Sequence, residues 1–466
     1  MNRRRFLETT AASAAAALVS AARRAPAAEA REKAAVKRPN ILFLFSDDQR
    51  FDTIGALGNE IVRTPNLDRL AAAGTAFTHA YIMGGNQGAV CGPRRAMMLS
   101  GRTLWRAVAG LAGEPLWPEV LRKAGYATFG IGKWHNGPPA YARCFSGGAE
   151  IFFGGMSDHL KVPVHDFDPE GKYPKAAQRV AEKFSSELFA DAAVRFLREY
   201  KGGAPFALYV AFTAPHDPRM PPEKFAAMYP PEKMPLPRNF MPEHPFDNGD
   251  MKGRDENLAP HPRPPEVVRK HLAEYYGMIS HLDGEVGRIL AALDETGRAA
   301  DTLVIFAGDN GLAVGQHGLF GKQNVYEHSV HVPLILRGPG VPAGERRDAF
   351  VYVFDLCPTI LEAAGVAVPD TVEGKSLSPV LKDKSARLRD SVFTAYRDLH
   401  RAVRDERCKL IRYSVKGEKH VQLFDLSADP WEMKDLSADA AYARQLAALD
   451  ARLREWQKQT GDTLAL

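Results

Sequence analysis

The sequence predicts an α/β fold: a large domain with a mostly parallel central sheet flanked by helices, and a small C-terminal antiparallel α+β domain. Three observations predict it. Short, continuous apolar runs alternate with amphipathic segments, the pattern of a parallel sheet buried on both faces. Four of those runs end directly in acidic, basic or imidazole residues, which polar loops alone do not explain. Beyond residue 388 the apolar runs shorten and crowd together, as antiparallel strands do.

The first run, Ile41-Leu42-Phe43-Leu44-Phe45, leads into Ser46-Asp47-Asp48. A helix is predicted over 66–73, opened by Pro65 and closed by Gly74. A strand over 127–131 runs into Gly132-Lys133-Trp134-His135. Helical spacing over 187–200 precedes a strand over 206–212, which ends in Thr213-Ala214-Pro215-His216. Residues 220–265 are rich in Pro and Gly and read as a long surface insertion. A long helix over 266–293 leads to a strand over 303–306, whose exit is Gly308-Asp309-Asn310-Gly311. A helix over 355–365 follows. Short strands are then predicted at 392–395, 401–403, 408–413 and 421–424, with an amphipathic helix over 440–457. The domain boundaries are set at 36–385 and 386–466.

Residues 1–30 stand apart. Asn2-Arg3-Arg4-Arg5-Phe6-Leu7 matches the twin-arginine export pattern, an Ala-rich stretch follows over 11–22, and small residues allow cleavage after Ala27 or Ala30. The apolar stretch is too short for a bilayer, which needs ~20 residues. The expectation is a soluble bacterial protein, exported by the twin-arginine machinery to the periplasm or beyond, without stable membrane insertion.

Composition narrows the function classes. The formal charge of +5 is concentrated at the start, where five arginines against two glutamates leave the remainder close to neutral. A general electrostatic attraction to nucleic acid is therefore excluded. Four cysteines (Cys91, Cys144, Cys357, Cys408) in 466 residues make no disulfide scaffold, and none belongs to a CxxC pair.

The strand exits carry the chemistry. Adjacent carboxylates at Asp47 and Asp48 repel one another unless a cation or a shared proton relieves them. Asp309 and Asn310 add hard oxygen ligands from a second strand, a donor set that suits calcium in preference to magnesium and argues against zinc. In open α/β sheets ligands bind beyond the carboxyl ends of the strands, where all four exits lie. Cys91 opens a predicted helix, with Pro93 in its first turn and Gly101 at its end. That position favours an anion. A cysteine phosphatase needs arginine six positions after the cysteine, and Met97 stands there.

Cys91-Gly92-Pro93-Arg94-Arg95 fits the Cys-x-Pro-x-Arg signature, and with it the chain resembles the type I, formylglycine-dependent sulfatases of the alkaline-phosphatase superfamily. The matching segments run in order through Pro39 to Asp48, Thr64-Pro65-Asn66-Leu67-Asp68, Gly132 to His135, Gly308 to Gly311 and His317 to Lys322. Leu423-Phe424-Asp425-Leu426 with Asp429-Pro430 resembles the family's terminal-domain motif. The resemblance implies an alkaline-phosphatase-like large domain. It implies that Asp47, Asp48, Asp309, Asn310 and modified Cys91 hold the metal, and that a maturation enzyme oxidises Cys91 to formylglycine. Arg95, Lys133, His135, His216 and Lys322 match the remaining active-site positions, with Lys133, His216 and Lys322 meeting the substrate. Two positions depart from the pattern: Arg94 replaces a small residue, and Asn136 replaces Leu. Ser157 and His159 are candidates for an additional sulfate contact.

The implied chemistry is consistent with these residue types. Arg95, Lys133, Lys322 and the cation meet the charge gathered on sulfate oxygens. One hydroxyl of the hydrated aldehyde attacks sulfur, and His216, with Lys322, protonates the departing alcohol. His135 takes the proton of the second hydroxyl, which releases sulfate and restores the aldehyde. Export and the insertion point to a sulfated carbohydrate; Arg219, Lys224, His244, Arg254, His261 and Arg263 either line a cationic subsite near His216 or belong to a solvated loop, and composition leaves both readings open. Two alternatives stay open: a phosphonate monoester or phosphodiester hydrolase on the same scaffold, and a non-catalytic calcium-dependent glycan-binding protein.

Overall fold

An eight-stranded sheet runs through the large part of the chain. In chain order its strands are β1 (Asn40–Asp47), β2 (Thr75–Phe77), β3 (Ala127–Lys133), β4 (Gly147–Phe152), β5 (Phe206–Pro215), β6 (Thr302–Gly308), β7 (Leu334–Arg337) and β8 (Glu345–Arg347). They lie side by side in the order β8-β2-β7-β6-β1-β5-β3-β4. Only β7 runs antiparallel to its neighbours. The computed structural model describes residues 38–465. The export signal read at 1–30 lies outside the described residues.

β1 shows why a continuous apolar run makes a central strand. Ile41, Phe43 and Phe45 face one core with Trp117, Leu121 and Met97, while Leu42 and Leu44 face the other with Phe189, Leu197 and Met278. Side chains alternate across a strand, so both faces of β1 must be apolar. The second face is covered by helices α3 (Ser185–Glu199) and α4 (Pro265–Glu295) and by α1 (Pro65–Ala72). The first is covered by α2 (Cys91–Ser100) and α5 (Leu356–Ala363).

The C-terminal sheet holds β9 (Val392–Tyr396), β10 (His400–Arg404), β11 (Cys408–Val415) and β12 (Glu418–Asp425), paired antiparallel in sequence order. Helix α6 (Ala443–Thr460) packs on β10 and β11. A two-residue strand, Gly84–Gly85, joins the far edge parallel to β9. Gly84 is obligatory there: its φ is 96°, and a Cβ would sit 1.8 Å from the Ala395 carbonyl oxygen. Residues 39–465 form one compact unit.

Two expectations are corrected. The strands ending in chemistry are longer than their apolar runs, because Asp47, Lys133 and Pro215 still belong to the ladders. The insertion is not a solvated surface loop. Tyr229, Met234 and Ala259 are buried against α4, and the Arg263 guanidinium is buried against Phe320 with the Ala259 and Glu256 carbonyls.

Candidate active site

The carboxyl ends of β1, β3, β5 and β6 converge on Cys91. Its Sγ lies 3.4 Å from Asp47 Oδ1, 3.8 Å from Asp48 Oδ1 and 3.4 Å from Asn310 Oδ1. β1 delivers Asp47 as its last residue, and Asp48 then turns away in the left-handed region, at φ 63°. The Asp48 amide donates to Asp309 Oδ1 at 3.1 Å, which joins the exits of β1 and β6. Tyr275 of α4 fixes the same turn by donating to the Asp48 carbonyl at 2.7 Å. Gly132, at φ 82°, has no room for a Cβ beside the Ala211 carbonyl, so β3 can pack closely on β5 before presenting Lys133.

Cations surround the carboxylates. Lys322 Nζ reaches both oxygens of Asp48, at 2.8 and 2.6 Å, and Lys133 Nζ bonds Asp47 Oδ2. Arg95 donates through Nε to Asp309 Oδ2 at 3.1 Å and through Nη1 to the Lys133 carbonyl at 2.8 Å, with its guanidinium over the Phe45 ring. His216 Nε2 stands 3.5 Å from Asp48 Oδ2, and its Nδ1 donates to the Asp217 carbonyl at 2.8 Å. His135 also turns through a left-handed residue, at φ 62°.

The electrostatics separate the roles. Burial pushes the Asp47 carboxyl up, but Lys133, His216 and Arg95 outweigh it and hold the group below the usual range. Burial and then Asp47 push Asp309 up. Burial, Lys133 and Arg95 drive the His135 imidazole down to about 3, so it is neutral at pH 7. Burial raises the Cys91 thiol well above its ordinary range despite Lys322, so the unmodified side chain is not a thiolate nucleophile.

Asp47, Asp48, Cys91 and Asp309 each offer a ligand atom within 4.8 Å of one another, and Asn310 adds its amide oxygen. Three buried carboxylates and an amide fit a hard divalent cation, which would relieve the repulsion that raises Asp309. Above Cys91 opens a cleft of about 390 Å³. It is lined by His135, His216 and Lys322, and also by Met156, Asp250, Arg254, Asp255, Gln323 and Arg397. A cavity of about 740 Å³ elsewhere, between Arg50 and Trp431, holds none of the sequence-predicted site residues.

Several expectations fail here. His159 is no sulfate ligand: it is buried, with Nδ1 2.7 Å from Ser185 Oγ and Nε2 donating to the His216 carbonyl at 2.9 Å. Ser157 bonds the Asp158 and Lys161 carbonyls and does not line the cleft. The cationic subsite reduces to Arg254. His244 is buried against Phe246 and Tyr326, and Arg219 is buried against His271. Arg263 is buried too, while Lys224 and His261 are exposed outside the cleft. Asp250, Gln323 and Arg397 escaped the sequence reading, since nothing local marks a residue that acts from a distant turn. All four cysteines are free.

The general sulfatase family model matches residues 39–366, more than half of the chain. The chain belongs to the sulfatase family. It is thus a sulfuric ester hydrolase of the alkaline-phosphatase superfamily. A second model, the N-sulphoglucosamine sulphohydrolase C-terminal region, matches residues 315–459 of this sulfatase. An N-acetylglucosamine-6-O-sulfatase of Bacteroides thetaiotaomicron is 27% identical over 509 residues, covering 92% of this sulfatase and 88% of that protein. A structure solved in complex with its substrate D-glucosamine-2-N,6-O-disulfate superposes with a TM-score of 0.77 at 25% identity, covering 92% and 99% of the two chains. The phosphonate monoester hydrolase of Agrobacterium radiobacter shares the fold at a TM-score of 0.72 and 24% identity, with 91% and 96% covered.

Proposed function

We infer that this sulfatase hydrolyses a sulfate ester of a carbohydrate, with a formylglycine made from Cys91 as nucleophile and calcium as the bound cation. The observation that carries the reading is the setting of Cys91. It opens α2 as a buried thiol held in its neutral form by burial, within 3.4 Å of Asp47 and Asn310. A hydrated aldehyde at that position would instead present a hydroxyl to sulfur. The similar proteins named for N-acetylglucosamine 6-O-sulfate and for glucosamine disulfate support the carbohydrate.

When bound by Asp47, Asp48, Asp309 and Asn310, the cation would neutralise charge on the sulfate oxygens. The chain's own residues do the rest. Arg95 is fully buried with fixed partners, so it offers charge without reorganising during the reaction. Lys133 and Lys322 face the same point from β3 and from the loop after β6. His216 lines the cleft, with Nδ1 anchored on a carbonyl and Nε2 aimed inward, so a proton can be delivered to the leaving oxygen. His135, in the cleft wall with Cys91, is the residue placed to take the proton lost on sulfate release.

Export by the twin-arginine machinery and oxidation of Cys91 by a maturation enzyme complete the reading. Both rest on sequence motifs, Arg3-Arg4-Arg5-Phe6-Leu7 and Cys91-Gly92-Pro93-Arg94-Arg95. Mass spectrometry of the peptide containing Cys91, from active protein, is expected to show the aldehyde or its hydrate. Full activity with an intact thiol would refute the nucleophile. Faster turnover of aryl phosphodiesters than of aryl sulfates would favour a phosphonate or phosphodiester hydrolase, and no turnover of either would favour a glycan-binding protein.

A further inference from the structure

The mouth of the cleft is assembled from two distant parts of the chain. Asp250, Arg254 and Asp255 come from the insertion, and Arg397 comes from the turn between β9 and β10. That turn is anchored to the nucleophile segment. The Arg397 amide donates to the Gly85 carbonyl at 2.8 Å, and Gly84–Gly85 lies shortly before Cys91 in the chain. Arg397 itself sits at φ 44°, a left-handed conformation that side-chain-bearing residues rarely adopt, while its side chain remains exposed in the cleft.

The mouth is balanced in charge. Arg254 is engaged by Asp217, at 3.0 Å, and by Asp255, at 2.5 Å. The Tyr396 hydroxyl donates to Asp250 Oδ2, and the Arg397 guanidinium lies against the same hydroxyl. Among the described residues no carboxylate forms an ion pair with Arg397. The phenol thus lies between an acceptor and a donor of opposite charge.

We propose that Asp250 and Arg397 form a hydroxyl-reading pair, seating a neutral sugar ring with adjacent free hydroxyls as the leaving group and disfavouring a second anionic group. This rests on the carbohydrate reading above. An ionised donor and an ionised acceptor each make a strong hydrogen bond to a neutral hydroxyl. A second sulfate would gain Arg397 but face the Asp250 carboxylate, which no cation pairs among the described residues, and like charge brought together selects against a ligand.

Steady-state kinetics of the matured full chain test the pair with 4-nitrophenyl sulfate, N-acetylglucosamine 6-sulfate and glucosamine 2-N,6-O-disulfate. Wild type is expected to prefer the monosulfated sugar to the disulfate in kcat/KM. Arg397→Gln and Asp250→Asn should each lower kcat/KM on the monosulfated sugar about tenfold more than on the aryl sulfate, chiefly through KM. Arg397→Gly removes the guanidinium while easing the backbone, so the same selective loss in that variant separates recognition from misfolding. Sugar turnover with equal losses on both substrates would overturn the inference alone. So would a wild-type preference for the disulfate that Arg397→Gln abolishes. Hydrolysis of the aryl sulfate with neither sugar accepted would remove the carbohydrate reading, and the pair's role with it.

Discussion

Lys322 Nζ bonds both carboxylate oxygens of Asp48, at 2.8 and 2.6 Å, although 274 positions separate the two residues in sequence. Both side chains are buried, so the contact ties the loop after β6 to the exit of β1. Removing one partner of a buried pair strands the other charge, at a cost of about 3–5 kcal/mol. Lys322→Met should therefore lower the denaturation free energy by about that amount and abolish turnover. The stability loss should shrink when calcium is added, because the ion takes over Asp48. An equal loss with and without calcium would argue against Asp48 as a ligand.

Gly84 gives a prediction about architecture. Alanine there would drive a Cβ into the Ala395 carbonyl oxygen, 1.8 Å away, and part the C-terminal sheet from the strand leading to Cys91. Gly84→Ala should cost at least about 3 kcal/mol. Gly58→Ala is the control: φ there is 116°, with nothing within 4 Å, so only backbone strain of about 1–2 kcal/mol remains. Urea titrations that give the two variants equal stability would refute the clash.

Those two residues also mark how far the sequence is legible. Strand ends rich in Asp, Lys and His were readable because a buried parallel strand is a continuous apolar run, and charge at its end is conspicuous. The convergence of Asp47, Lys133, His216 and Asp309 followed from that pattern. Gly84–Gly85 was not readable, since two glycines carry no periodicity and their pairing with β9 is non-local. The insertion was misjudged for a related reason. Proline-rich chain reads as loop, yet Arg263 and His244 find buried partners that only the tertiary structure supplies. Arg397 lay in a turn whose role depends on what it faces.

Metal removal should be visible in stability as well as rate. A cation that binds only the native state adds stability that grows with the logarithm of its concentration over Kd. Exhaustive chelation is expected to lower both the melting temperature and the turnover, and calcium to restore them. Asp309→Ala should abolish the calcium-dependent shift. A melting temperature indifferent to chelation, after slow release has been allowed for, would dismiss the ion.

Acid should weaken the fold through buried neutral histidines. Burial lowers His244 and His400 from 6.5 to about 4 each. In the unfolded chain they protonate near 6.5, so between 6.5 and 4 the unfolded state binds more protons. Their contribution is intact above pH 6.5, declines as pH falls through 4, and declines no further below. Each adds up to about 1.4 kcal/mol per pH unit inside that window. Denaturant titrations at pH 7.0, 5.5 and 4.5 should show the loss, and His244→Gln should make it shallower. An unchanged pH dependence in that variant would assign the acid lability elsewhere.

The sharpest test of the chemistry concerns His216. Its Nδ1 is fixed on the Asp217 carbonyl at 2.8 Å, and the His159 ring donates to the His216 carbonyl at 2.9 Å, so the imidazole is held from below with Nε2 toward the cleft. A group so placed helps in proportion to the leaving oxygen's need for a proton. Nitrophenolate departs readily without one, whereas a sugar alkoxide is far more basic and does not. His216→Ala should therefore slow a sulfated sugar by about 10²–10⁴-fold, the usual worth of a positioned acid, and nitrophenyl sulfate much less. His159→Ala, which removes the support but leaves the acid, should lie between wild type and His216→Ala on the sugar. If His216→Ala slowed both esters equally, the imidazole would be acting on charge at the sulfate, together with Lys322, and the proton donor would have to be sought elsewhere in the cleft.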